Sequence, residues 1–345
     1  PGFKSMIRVS PLPLELKHPF RIAHGTSTVR NNALVEIGSG IGEAALPPYY
    51  PTTFSDVKEY VESVSDLLEE ALLTEPFDLV AIIDRLPEGP SPALAAIDMA
   101  LHDIWGQRLG HPLYQLFGLS QRRIPVSSYA LPIPLSLAEL DEHLAPILHF
   151  PFLKLKLGSG DPEFDQAIVR RARAQFRGHL CVDVNGGWQI DKAVHLITAL
   201  ADVDLVFIEQ PIRPVDNDEW HLLNRLLPNN TIPLIADESV QGPSDVIELA
   251  GAISGINIKL TKCGGIRQAQ RMIHLARSLD MSVMLGCMIE SSVALTAAAH
   301  LGALVDFLDL DGQLHLSNDP FKGLTFDSGV IGLPSHPGLG VQRSY

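Results

Sequence analysis

Phe152-Leu-Lys-Leu-Lys-Leu157 sets two lysines, Lys154 and Lys156, two residues apart inside an otherwise apolar run. The composition is that of a buried strand. Side chains alternate in a strand, so both ammonium groups point one way and Leu153, Leu155 and Leu157 the other. Taken alone, such a pair reads as an exposed edge whose lysines reach water. The chain on either side of it decides otherwise.

From residue 121 onward, short apolar runs alternate with helical patterns. The runs are Pro125-Val126, Phe152–Leu157, Leu180–Val184, Leu205–Ile208, Ile232–Ala236, Ile256–Leu260, Val283–Leu285 and Phe307–Leu310. Eight strands separated by helices predict a parallel βα array, and eight is the number that closes into a barrel. One polar or small residue stands near the carboxyl end of each run: Ser128, Lys156, Asp183, Glu209, Asp237, Lys259, Gly286 and Asp309, spaced 22 to 28 residues apart. A strand plus its crossover helix needs about that much chain. In such barrels the carboxyl ends of the strands carry the active site.

Asp183, Glu209 and Asp237 then come from neighbouring strands. Three carboxylates converging in a barrel mouth repel one another unless a cation holds them, and an all-oxygen set without His or Cys selects Mg²⁺. Lys156 and Lys259 are expected to face each other across that metal, with pKa values lowered by burial, Lys154 and the cation. Two opposed lysines beside a metal-anchored carboxylate predict racemisation or epimerisation at the α-carbon through an enediolate. Asp309-Leu-Asp311 puts two further carboxylates on one face of the last strand, expected opposite the metal. They call for a cationic group on the substrate, which an α-ammonium one peptide unit away would supply.

The first 120 residues differ in character. Ile7–Val9, the Pro-punctuated Pro11–Leu16 and Ala33–Ile37 read as a small antiparallel sheet, with His18–Thr26 as an irregular lid loop between strands. Ser55–Leu73 is predicted as one helix capped at Ser55-Asp56, and Pro92–Gly106 as a second, with Asp98, His102 and Asp103 embedded. A domain boundary is expected near Leu119 to Arg123.

Together these residues resemble the enolase superfamily, in its muconate-lactonizing subgroup. The resemblance rests on Ala96–Gly106, the Lys154/Lys156 pair, Asp183-Val-Asn185, Glu209-Gln-Pro211, Asp237-Glu-Ser239 and Lys259-Leu-Thr-Lys-Cys-Gly-Gly265. It implies an α/β fold, a modified TIM barrel of (β/α)7β form with an N-terminal α+β capping domain. The expected division is a cap of residues 1–120, completed by the tail 321–345, over a barrel of residues 121–320. Asp309-Leu-Asp311 looks like the motif with which dipeptide epimerases bind the substrate α-ammonium. The resemblance thus implies Lys156 and Lys259 as the bases, Lys154 as support for the first, and Asp183, Glu209 and Asp237 as Mg²⁺ ligands; Lys154 is also expected to help hold the substrate carboxylate. It also implies cap loops around Phe20–Thr26 and Pro47–Thr53 that read the substrate side chains. Ser128, Met288, Phe20, His24 and Tyr50 are the candidate pocket residues, with Tyr49 beside them. Members that prefer an acidic second residue can carry a cation in the first cap loop, where this chain has Ala23-His24-Gly25-Thr26. His24 could serve there only weakly and Gly25 not at all, so this stretch does not predict an Ala-Glu preference.

A Mg²⁺-dependent dipeptide epimerase is therefore the leading expectation. N-acylamino acid racemase, o-succinylbenzoate synthase and muconate-type cycloisomerase are the alternatives. The formal charge of −14 argues against nucleic acid or an anionic membrane as partner, and no apolar run has the length of a membrane span. A homo-oligomer is left open. Cys181, Cys263 and Cys287 form no C-x-x-C pair and read as reduced, buried thiols of a cytoplasmic protein. The start lacks the layout of a signal peptide, with Met6 as the expected natural start and Pro1–Ser5 as a remnant.

Overall fold

A computed structural model describes residues 6–229 and 231–344, so the reading of Pro1–Ser5 lies outside the described residues. The chain opens with β1 (Ile7–Ile22), β2 (Gly25–Ile37) and β3 (Gly40–Ala44), an antiparallel sheet in that order. Pro11 and Pro13 are tolerated because β1 is an edge strand, where a missing N–H need not break the ladder. His18–Thr26 is not an irregular loop. After a register shift between Glu15 and Phe20, pairing resumes as Phe20 with Ser27, Arg21 with Thr26 and Ile22 with Gly25. The segment is the tip of a long hairpin, turning at Ala23-His24.

Two helices stand where one was expected, Phe54–Ser63 and Ser65–Leu73. The cap is Thr53, in a reciprocal capping box with Asp56, and the break falls at Val64, whose ψ of 12° leaves the helical range. The helix Ser91–Leu109 is buried on nearly all sides because it lies between the cap sheet and the barrel. Gly40 and Gly42 let β3 approach it: a Cβ at Gly42 would meet Ala96 O at 1.9 Å. From its barrel side Asp98 accepts from the backbone N–H groups of Ile266 and Arg267, capping the helix Ile266–Ser278. Asp103 accepts from Leu339 and Ile41, tying the tail to the cap.

The barrel strands are β4 (Tyr129–Leu131), β5 (Phe152–Lys156), β6 (His179–Asp183), β7 (Ile208–Glu209), β8 (Leu234–Ala236), β9 (Gly255–Ile258), β10 (Ser282–Gly286) and β11 (Phe307–Asp309). All neighbours pair in parallel, in sequence order, and a bridge from Ser127 to Leu308 closes the ring. The first strand starts later than Pro125-Val126, since Pro125 has no N–H for the ladder. Seven helical crossovers, with only the short 3-10 turn Gly312–His315 after β11, make the array (β/α)7β, a modified TIM barrel, here with an N-terminal α+β cap. Phe152, Cys181, Phe207, Ile235 and Met284 plug the barrel's lower interior. Phe152, Lys154 and Lys156 share the inward face by strand alternation, so the lysines stand in layers above this plug.

The tail returns to the cap. Arg343 pairs with Glu36 at 2.6 Å, and just before the tail Ser317 N–H donates to Glu15 O at 2.9 Å. The three cysteines are free; Cys181 is buried, whereas Cys263 and Cys287 are only partly so. No helix among the described residues is long and apolar enough to cross a membrane.

Candidate active site

Register delivers the acids. Lys156 on β5 stands beside Asp183 on β6, which stands beside Glu209 on β7; Asp237 follows β8 directly. All three carboxylates are fully buried, and each offers one oxygen within 4.8 Å of the others. Around them lie four ammonium groups, three buried and that of Lys156 partly so. Lys154 reaches Asp309 and Glu209 at 2.7 Å and Asp183 at 3.3 Å. Lys156 meets Asp183 at 2.5 Å, Lys259 meets Asp237 at 2.7 Å, and Lys262 meets Asp237 at 2.6 Å.

This charge pattern splits the trio. Burial pushes Glu209 up to about 8, with Asp183 adding to the rise. Asp183 and Asp237 go down instead: burial opposes their charge, but Lys156 with Lys154, and Lys259 with Lys262, override it. Glu209 Oε1 accepts from Asn257 Nδ2 at 2.7 Å. Its Oε2 has a charge contact with Lys154 but no partner at a hydrogen-bonding angle. A converging set of three buried carboxylates with one oxygen unbonded, and with no imidazole or thiolate among them, fits a hard divalent cation.

The lowering of the two bases is expected with a cation at the trio; the carboxylates by themselves hold both lysines charged. Burial alone would lower Lys156 and Lys259, yet both are raised, because Asp183 and Asp237 hold them as ammonium ions. Asp309 lies across the barrel interior from Glu209, with Lys154 spanning the two.

A cavity of about 70 Å³ sits at the mouth, and Phe20, Lys156, Lys259, Met288, Asp309 and Asp311 line it as expected. Ser128, Lys154, His24 and Tyr50 do not line it. Ser128 is buried behind Asp309, donating to its Oδ1 at 2.7 Å, so it orients that carboxylate. His24 stacks on Tyr49 at 4.8 Å and lies 3.6 Å from Glu238. It is Tyr49 that faces the cavity, while the Tyr50 hydroxyl is buried without a partner and pushed up by burial. Asp311 accepts from Ala130 N–H at 2.6 Å and pairs with His315 at 3.0 Å. The cavity is far below the roughly 300 Å³ of small-molecule pockets, and Phe20, Ile22 and Tyr49 line it from the cap. Outside the Phe20 and His315 rings, which meet edge to face at 5.0 Å, a second cavity of about 700 Å³ opens to the surface.

Sequence reasoning missed several residues. Asn257, Lys262 and Asn185 each hold a member of the trio, and Gln210 Oε1 accepts from the backbone N–H groups of Asp237 and Ser239. All except Asn257 stand in the quoted motifs; their signal was proximity to a candidate ligand. Arg30 and His315 line the cavity with no motif to mark them.

Comparisons with known proteins agree with this architecture. Residues 5–118 match the mandelate racemase/muconate lactonizing enzyme N-terminal domain, and residues 138–344 the enolase C-terminal domain-like family. The L-Ala-D/L-Glu epimerase of Bacteroides thetaiotaomicron is 37% identical over 99% of this chain and 89% of its own. The L-Lys-D/L-Arg epimerase of Methylococcus capsulatus is 35% identical over 94% and 95%. The crystal structure of a dipeptide epimerase from Enterococcus faecalis, complexed with Mg and L-Leu-L-Tyr, superposes with a TM-score of 0.87 at 29% identity, covering 98% of this chain and 99% of that one. The chain belongs to the mandelate racemase/muconate lactonizing enzyme family of the enolase superfamily, and it is an isomerase of the racemase and epimerase kind.

Proposed function

We propose that the protein is a Mg²⁺-dependent dipeptide epimerase that inverts the α-carbon of the second residue through an enediolate, with Lys156 and Lys259 as its two bases. One observation carries the reading: the two lysines line a single cavity, each paired to a different carboxylate of the trio, with Asp309 and Asp311 on the same cavity. In this account the cap, residues 1–120 with 321–345, closes over a barrel of residues 121–320.

Asp183, Glu209 and Asp237 would hold a magnesium ion, which when bound would supply positive charge to stabilise the deprotonated substrate and would compete with the lysines for those carboxylates, favouring a free amine. One lysine, as free amine, takes the α-proton. The α-carbon flattens, and the other lysine, as ammonium, returns a proton to the opposite face. Lys154, shut off from the cavity, fixes Asp309 and Glu209 relative to each other. Asp309 and Asp311 receive the α-ammonium of the first residue. Substrate enters from the outer cavity past Phe20 and His315, and closure of the hairpin tip excludes water.

N-acylamino acid racemisation is the second reading, and one observation favours it: both oxygens of Asp309 are already hydrogen-bonded, to Ser128 and Lys154. A panel of L,L-dipeptides against their N-acetyl and N-succinyl amino acid counterparts, each with Mg²⁺, separates the two. Turnover of free dipeptides with loss on N-acetylation of the same dipeptides is the expected result. Turnover of N-acyl amino acids alone would move the assignment to the second reading.

A further inference from the structure

The cavity contains a cation that the chemistry above does not use. Arg30 lies on β2 opposite Leu14, two residues before Asn32 and on the same face of the strand. Asn32 donates to the backbone carbonyl of Ile289 at the barrel rim, so that face of β2 is turned toward the mouth, and Arg30 lines the cavity. The side chain is nearly buried, at 7% exposure, and its Nε has no hydrogen-bond partner. Among the described residues, no carboxylate lies within salt-bridge distance of it. Every other cation on the cavity has one: Lys156 has Asp183 and Lys259 has Asp237. Burial draws the Arg30 guanidinium below its ordinary value, with Tyr49 pulling the other way. A desolvated guanidinium with a free fork is a poor structural element but a ready receptor for a planar anion.

The layout of the proposed chemistry says which part of the substrate faces it. At the flattened α-carbon three substituents lie in one plane, and the proton enters from above or below it. The carboxylate points to the acidic trio, and the amide nitrogen points to Asp309 and Asp311. The side chain takes the remaining direction, out of the barrel and into the cap, where Arg30 waits. Resting on the dipeptide reading, we propose that Arg30 is a specificity-determining residue that pairs with a carboxylate on the side chain being inverted, so that the substrates are dipeptides with an acidic second residue. His24, the weak candidate of the first cap loop, is not the cation in this account. His24 is turned away onto Tyr49 and Glu238. Family membership alone does not set this preference, because the relatives' substrates range from L-Ala-D/L-Glu to L-Lys-D/L-Arg.

The test compares L-Ala-L-Glu with its neutral isostere L-Ala-L-Gln, in the native protein and in Arg30→Met and Arg30→Lys, reading α-deuterium uptake from D₂O. The native protein should prefer Glu by roughly thirtyfold or more in kcat/KM, the usual scale for a desolvated charge pair. Arg30→Met should bring that ratio to about one or below while still exchanging L-Ala-L-Gln, and Arg30→Lys should keep part of the preference. Retained exchange shows that the variant is folded and that its bases work. A native protein that uses Gln as well as Glu, or a ratio that Arg30→Met leaves unchanged, would overturn the assignment. If no dipeptide reacts but N-acyl amino acids do, the dipeptide reading has failed separately, and N-acyl-Glu against N-acyl-Gln then decides the role of Arg30.

Discussion

Replacing Lys154 with methionine should destabilise the fold by about 3–5 kcal/mol near neutral pH, and by more as pH rises. The ammonium touches three buried carboxylates, at 2.7 Å, 2.7 Å and 3.3 Å, and is itself shut off from water. Methionine keeps most of the stem volume but leaves those carboxylates facing one another, and their easiest relief is to take up a proton. Burial pushes the Asp309 carboxyl up, while Lys154 and Lys156 pull it below its ordinary 3.8. Protonating it in the folded variant at pH 7 costs about 1.36 kcal/mol for each of roughly three pH units, or about 4 kcal/mol. The signs are opposite in the two proteins. In the native chain the lowered pKa contributes stability above 3.8 that is lost as pH falls through the folded value. In the variant a carboxyl raised above 3.8 binds a proton that the unfolded chain does not, so stability falls with rising pH by about 1.4 kcal/mol per unit. Urea unfolding in chelator at about pH 5.5, 7 and 8.5 measures both quantities. A deficit under about 1 kcal/mol at neutral pH, or one that stays constant across the three, would refute the view of Lys154 as the charge that holds the barrel's acids together.

Further consequences follow from the same geometry. Because Glu209 is raised to about 8, a proton competes with the cation below that pH. The Mg²⁺ affinity measured by calorimetry should therefore climb up to about tenfold per unit from about pH 6 to about 8 and then flatten; a flat profile would remove Glu209 from the ligand set. Lys156→Met and Lys259→Met should each lose roughly a thousandfold in net epimerisation, yet each should keep α-proton exchange for one epimer, the opposite one in the two variants. Equal exchange of both epimers in either variant contradicts a two-base site. A methyl on Gly286 would lie 2.7 Å from both amide atoms of Asn257, the residue that donates to Glu209. Gly286→Ala should thus weaken Mg²⁺ binding by roughly tenfold or more, and an unchanged titration would show Asn257 to be dispensable there.

The barrel was legible because its signals are periodic. Inward and outward residues alternate along Phe152–Leu157, and strand ends recur at the length of one βα unit, so Lys156, Asp183, Glu209, Asp237 and Lys259 fall in register with no knowledge of contacts. That three carboxylates converge at the barrel mouth followed from residue type and order alone. What depends on distances was not legible. Lys154 and Lys156 look equivalent in sequence, yet one layer of depth encloses Lys154 among carboxylates and leaves Lys156 on the cavity. The pKa directions of the bases turned on ion pairs of 2.5 Å and 2.7 Å, which no spacing rule provides. The hairpin tip was missed because His18–Thr26 reads as an irregular segment, whereas after the register shift that follows Glu15 pairing resumes at Phe20 and runs to Gly25. Arg30 stands in Val29-Arg-Asn-Asn32, which reads as a polar strand face; only the docking of the cap on the barrel turns that face inward.

The central claim, inversion of the second residue of a dipeptide between two lysines, is tested most directly by following L,L-dipeptides in D₂O by NMR, with and without Mg²⁺. The account predicts deuterium at the α-position of the second residue alone, accumulation of the L,D product, and neither event in the presence of chelator. Deuterium at the first residue, or exchange and inversion that persist without the metal, would contradict it.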